Sequence, residues 1–279
     1  MSHYATTTIA AAPPATAGNW AKGVRDLADG AHRWRLSYLL GISEIRRRYA
    51  RSRLGQLWVT ATMALMIGAL GFVWSQLWKQ PVAAMMPFVA VSMVAWTYMS
   101  GVLSDAPTTF ISAAPIMHNQ GIEFSAIVYG LLLKHLFVLA HNLPIVVVVM
   151  ALFAFAPGFS AFGALLGLTL LTIFLFGLSY LIAIVCLRFR DLAQIVQNIV
   201  MVLFFITPVL WKPEQISADH AYLLKANPFA IYLATIQKPL LGDWPTESEW
   251  AIAAGLAAAV VLLVIPLVGW ARNRLIYWV

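Results

Sequence analysis

FSAFGALLGLTLLTIFLFGLSYLIAIVCL, residues Phe159–Leu187, runs for 29 residues without a charged side chain. At 1.5 Å per helical residue it would reach ~43 Å, more than the ~30 Å hydrocarbon core of a bilayer. A helix apolar on every side has no face to turn to water, so it belongs inside a large core or a membrane. Just before it, Ser125–Phe155 is a second apolar run, and only Ala156-Pro157-Gly158 separates the two. A Pro-Gly pair in so short a link is a turn, so the two runs form an antiparallel helical hairpin.

The rest of the chain agrees. Of its 279 residues, 61% are hydrophobic and 10% charged, against ~45–50% and ~25% in soluble domains. A soluble fold of this size has too little interior to hide that much apolar surface. The fold class is therefore all-α, a polytopic membrane protein with six transmembrane helices. The spans run over about 54–78, 87–103, 125–155, 159–187, 193–211 and 250–271. Alternating ten-residue strands are absent, which rejects a β-barrel. The single cysteine, Cys186, allows no intrachain disulfide and reads as a small packed side chain.

The net charge is +7, but the cations do not form a nucleic-acid-binding patch. Nine of the 18 lie between Lys22 and Arg53, just before the first span. With the N-terminus in the cytoplasm, Arg188, Arg190, Arg272 and Arg274 join them there, and only Lys79, Lys212, Lys225 and Lys238 lie outside. That bias orients the chain with both termini cytoplasmic. Residues 1–30 read as a flexible cytoplasmic tail, with no signal peptide at its start. Residues 31–53 interleave Trp34, Leu36, Tyr38, Leu39, Ile42 and Ile45 with arginines. This describes an amphipathic helix lying in the interface, or else ordinary topology-setting charges. The outer segment 212–249 is too apolar for a solvated loop. Pro213, Pro228, Pro239 and Pro245 divide it into short re-entrant helices, tolerated where protein covers the backbone.

The chain has no G-x-x-x-x-G-K-[ST] phosphate loop, no H-E-x-x-H, no G-x-S-x-G and no Cys/His metal spacing. The acidic pairs Asp26/Asp29 and Glu247/Glu249 read as solvated groups at water-exposed ends. Inside the third span sit Lys134, His135, His141 and Asn142. Ionisable groups in a bilayer face a protein interior or a wet cavity. Lys134 and His141, two turns apart, would share a face, either as a polar stripe on a substrate path or subunit contact or as interhelical hydrogen bonds. The many aromatics near span ends read as an interface belt or as stacking surfaces along a sugar path.

Four stretches carry a resemblance: RRRYARSRLGQLW (Arg46–Trp58), FRDLAQIVQNIVMVLFFITPVLW (Phe189–Trp211), NPFAIYLATIQKPLLG (Asn227–Gly242) and RNRLIYWV (Arg272–Val279). Together they resemble the permease subunit of ABC-2 type polysaccharide exporters, which move O-antigen, capsule or teichoic acid chains. LFVLAHNLPIV (Leu136–Val146) favours the O-antigen branch. The resemblance covers about residues 31–279. It implies a non-catalytic permease of the bacterial inner membrane with no cofactor of its own. A second copy of the chain and two copies of an ABC ATPase subunit, which binds ATP and Mg, would complete the exporter. The cargo would be an undecaprenyl-diphosphate-linked polysaccharide.

The resemblance further implies that Arg46, Arg47, Arg48, Arg51 and Arg53 meet the lipid diphosphate. His118 in the loop Ser104–Gly121, with Arg188, Arg190 and Asp191, would couple to the ATPase. Channel or gate candidates are Lys134, His135, His141, Phe204, Phe205, Trp211, Tyr222, Phe229 and Tyr232. Two other functions stand beside this one: export of a small lipid or drug by the same architecture, and an intramembrane enzyme acting on isoprenoid lipids through Lys134, His135 and His141.

Overall fold

The computed structural model of the chain describes residues 18–49, 55, 57–120, 122–215 and 222–278. Among these residues no strand occurs. The helices are α1 (Asn19–His32), α2 (Trp34–Tyr49), α3 (Leu57–Leu77), α4 (Val82–Asp105), α5 (Thr109–Gln120), α6 (Phe124–Leu152), α7 (Ala161–Arg188), α8 (Leu192–Ile206), α9 (Tyr222–Ala226), α10 (Pro228–Leu240) and α11 (Glu247–Trp278). Five are long and apolar enough to cross a membrane: α3, α4, α6, α7 and α11. Two single-turn 3₁₀ segments, Ala106–Thr108 and Pro213–Gln215, complete the regular structure described.

Helix α4 is the axis of the bundle. Residues 87–96 are buried without a break, so no side of this stretch meets solvent or lipid. It packs against α3, α6, α7, α8 and α10. An aromatic seam follows it. Trp96 lies 5.8 Å from Phe204 and 6.5 Å from Phe229, and Phe174 is 4.8 Å from Tyr232. Near the far end of α7, Phe110 and Tyr180 meet edge-on at 5.5 Å. Such offset and edge contacts add about 0.5–1.5 kcal/mol each to the area they bury.

The fifth expected span is shorter than its apolar run. Residues 193–211 read as one helix, but α8 stops at Ile206. Thr207 precedes Pro208, and that residue is pushed out of the helical region; it sits at φ −96° and ψ 138°. Fifteen residues give ~22 Å, short of the ~30 Å core.

The outer segment is a compact insertion. Helix α10 is buried along most of its length and packs among α4, α7 and α11, which is where a re-entrant helix can exist. Gly167 of α7 admits Thr235 against its backbone, the Tyr232 hydroxyl donates to Ala253 O at 2.7 Å, and Gln237 donates to the Ser92 hydroxyl. Asn227 starts α10: its Oδ1 accepts from Phe229 N–H at 3.0 Å, and its Nδ2 donates to Thr207 Oγ1 at 2.9 Å. Asn227→Ala removes the cap and orphans a buried hydroxyl, and should cost about 2 kcal/mol. The melting temperature in detergent should fall accordingly. Asn227→Asp, which keeps the cap, should lie between the two.

Three readings change, two of them near the N-terminus. Residues 19–30 are helix α1, not tail. Its buried positions are Gly23, Asp26 and Gly30, spaced for one helical face but without a large apolar residue. Chain contact here is made by backbone. An added Cβ on Gly23 would lie 1.8 Å from Ile265 O, and one on Gly269 would lie 1.8 Å from Asn19 O. Small residues permit this approach between helices. The expected interface helix over 31–53 breaks at Arg33 and continues as α2, which lies along α6 where Gly41 faces Gly130. Trp34, Tyr38 and Leu39 of α2 stay exposed, as an interfacial helix requires. Finally, the segment Ser104–Gly121, expected as a loop, carries α5 as a near-continuation of α4.

Candidate functional site: the α8 face and the Lys134 cluster

Helix α8 packs on α4, α7 and the turn Ala106–Thr108, and among the described residues the rest of its circumference is bare. Ile195, Ile199, Met201, Val202, Phe205 and Ile206 are exposed there, as are Gln194, Gln197 and Asn198. Gln194 Nε2 donates to Asn198 Oδ1 at 3.5 Å, and Gln197 Nε2 to Ser104 O at 2.6 Å. Amides facing hydrocarbon without full hydrogen bonding are costly. This face is therefore built for water or for protein. Helix α3 is as bare: only 11% of its membrane window is buried, and Leu57, Trp58, Leu65, Met66, Phe72 and Val73 point outward. The amides were not singled out in the sequence, although three of them inside five residues (Gln194–Asn198) of an apolar segment were the available signal.

The polar residues of the third span do not form one stripe. Lys134 Nζ lies 2.5 Å from Glu44 Oε2 of α2 and 2.8 Å from Asp105 Oδ2 at the end of α4, and His135 Nε2 lies 2.9 Å from the same Asp105 oxygen. Gly101 makes room for the His135 ring. Of the two readings, Lys134 and His135 thus take the interhelical one. Their carboxylates come from residues outside the apolar cores of the spans, where a search within them misses both. His141 is elsewhere: it is exposed, its Nδ1 pairs with its own Phe137 O at 2.9 Å, and Thr60 of α3 donates to its carbonyl at 3.1 Å. Asn142 is fully buried.

A cavity of about 470 Å³ adjoins the cluster, lined by Glu44, Arg47, Asp105, Thr108, Ser112 and Lys134 among others. Of the arginines expected to meet a diphosphate, Arg46 and Arg47 are exposed on α2 and Arg47 reaches this cavity. The side chain of Arg48, and Arg51 and Arg53, lie outside the described residues. The coupling candidates Arg188, Arg190 and Asp191 form an exposed tip between α7 and α8. His118 lies on α5, its side chain outside the described part.

The aromatic candidates divide. Phe205 is exposed, Phe204 half-buried, and Trp211 caps the end of α8 by donating to Phe205 O at 3.1 Å. Tyr222 is exposed. Phe229 and Tyr232 belong instead to the core, because α10 turns inward and packs them against Phe174. They line no surface in this arrangement.

Asp26 is no solvated acid. It is wholly buried, accepts from Ser125 N–H at 3.1 Å, and its carboxylate lies 3.5 Å from Arg272. The Ser125 hydroxyl donates to Asp26 O at 2.5 Å. Burial pushes the carboxyl's pKa up, and the Arg272 guanidinium opposes that. Its neighbour Asp29 does sit near the surface, paired with Arg25 at 3.5 Å.

Residues 36–241, from within α2 to the end of α10, match the ABC-2 type transporter family. Two O-antigen export system permease proteins, RfbA, of Klebsiella pneumoniae are 24% and 22% identical over 206 and 209 residues, each match covering 71% of this chain and 79% of the relative. The RfbA of Myxococcus xanthus is 22% identical over 222 residues, covering 79% and 85%.

Proposed function

The chain belongs to the ABC-2 type transporter family, and we propose from that footing that it is the transmembrane subunit of an inner-membrane exporter for a lipid-linked polysaccharide of the O-antigen type. Two copies meet across the bare faces of α3 and α8, and the amides of α8 line a conduit between them. The termini lie in the cytoplasm. A separate ABC ATPase, two copies per exporter, binds ATP and Mg and docks at the end bearing α2, α5 and the Arg188–Asp191 tip. Arg46 and Arg47 of α2 attract the undecaprenyl diphosphate headgroup through charge-assisted hydrogen bonds. Glu44 and Lys134 make α2 and the bundle one mechanical unit, through which nucleotide-driven movement reaches α4 and α6.

The observation that carries this reading is the exposed Gln194–Gln197–Asn198 face on a helix otherwise made for lipid. A conduit for sugars wants such a wall, since amides exchange hydrogen bonds with hydroxyls along a moving chain. A small apolar cargo would gain nothing from it. In cells lacking the gene, the wild-type chain should restore surface polysaccharide. Gln194→Leu with Asn198→Leu should lower it at least tenfold at equal membrane abundance. Undiminished export by the double variant would refute the conduit assignment.

A further inference from the structure

At the corner where α1 turns into α2 lies an apolar groove of about 510 Å³, on a face that takes no part in the proposed conduit. Leu132 and Leu136 of α6, Ile173 and Phe176 of α7 and Val261 of α11 form its walls. Trp34 and Ile173 at its rim are 59% and 40% exposed. Ser37 also lines it, buried and with its hydroxyl lacking a partner among the described residues. On α6 the lining runs from Tyr129 to Leu136, so the groove follows that helix for two turns, ~10 Å, about a third of the ~30 Å hydrocarbon core.

The groove opens into a basic pocket. His32, Arg33 and Arg35 line this second space, and Ala31 and Trp34 are common to both. Arg33 is held by the buried Glu123 at 3.2 Å. Arg35 makes no ion pair among the described residues; its guanidinium rests 5.7 Å from the centre of the Trp34 ring. An apolar slot thus ends at a site with unspent positive charge, beside a tryptophan of the kind that settles at headgroup level.

We propose that this corner binds an anionic phospholipid of the surrounding leaflet. One acyl chain fills the groove and the phosphate meets Arg35 and His32. Charge complementarity selects the headgroup, because cations near an anionic leaflet attract its lipids. Neither the groove nor the basic pocket shares a lining residue with α3, α4, α8 or α10, which separates this lipid from the cargo. The bound lipid would strap α1 and α2 to α6, α7 and α11.

Native mass spectrometry of the full chain, released from vesicles of equal parts phosphatidylglycerol and phosphatidylcholine, tests this. The wild-type chain should retain phosphatidylglycerol roughly fivefold over phosphatidylcholine, the attraction expected of one basic residue. Arg35→Gln, at an exposed position that leaves the fold intact, should abolish that preference. Ile173→Trp, which fills the groove from its rim, should lower retention of both lipids. Equal retention by the wild-type chain would overturn the proposal, as would an unchanged preference in Arg35→Gln. So would displacement of phosphatidylglycerol by an equal amount of a polyprenyl phosphate, since the site would then belong to the cargo.

Discussion

Leucine in place of Gly269 will undock the N-terminal helix. The added Cβ would fall 1.8 Å from Asn19 O, and the partner contact, Gly23 on Ile265 O, is equally close. Both obstacles are backbone carbonyls, which cannot rotate away as a side chain could. Helix α1 must move, and with it goes the Asp26 carboxylate that accepts from Ser125 N–H and sits 3.5 Å from Arg272. Overpacking costs about 1–3 kcal/mol, and breaking a buried polar network adds to it. A loss of about 3 kcal/mol or more is expected. Trypsin should then cut the detergent-solubilised variant at Arg25 and Arg33, which the docked helix protects in the wild-type protein. Gly255→Ala, on the same helix but with nothing within 4 Å of its Cβ, should leave digestion unchanged.

Lys134→Met will have the second-largest effect. Lysine holds the carboxylates of Glu44 and Asp105 together, and it is 15% exposed while they are 38% and 40% exposed. Removing one partner of a fully buried pair costs about 3–5 kcal/mol. Solvent at the two carboxylates screens part of that, so a loss of about 2 kcal/mol is expected, read as a lower melting temperature. Adding Glu44→Gln and Asp105→Asn to Lys134→Met removes the uncompensated charges and should recover more than half of the loss. Recovery of stability without recovery of export would separate the cluster's role in holding the bundle from its role in transmitting movement from α2.

The membrane-spanning helices were legible because their signal is additive: twenty apolar residues in a row can hardly mean anything else. The hairpin of α6 and α7 could be read from three residues, Ala156-Pro157-Gly158. Less legible was whatever rests on single residues meeting across the bundle. Helix α1 docks through Gly23 and Gly30, which register as gaps in any hydrophobic pattern. Asp26 reads as a surface acid until the fold supplies Ser125, Tyr180 and Arg272 from three other helices. Lys134 looked unpaired within its span because Glu44 and Asp105 approach from outside the apolar runs. Phe229 and Tyr232 look like gate residues on a proline-broken segment, but α10 turns them into the core. The amides of α8 were visible in the sequence, yet their meaning depends on which face is left bare.

That bare face is best tested by a single cysteine. In a Cys186→Ser background, Asn198→Cys would place one thiol on the outward side of α8. Treating intact membranes with a short bis-maleimide should link two copies of the chain across a shared conduit, giving a band at twice the monomer mass on a denaturing gel. A monomer band alone, with the thiol shown to be reactive toward a membrane-permeant maleimide, would mean that α8 faces lipid and that the conduit lies elsewhere.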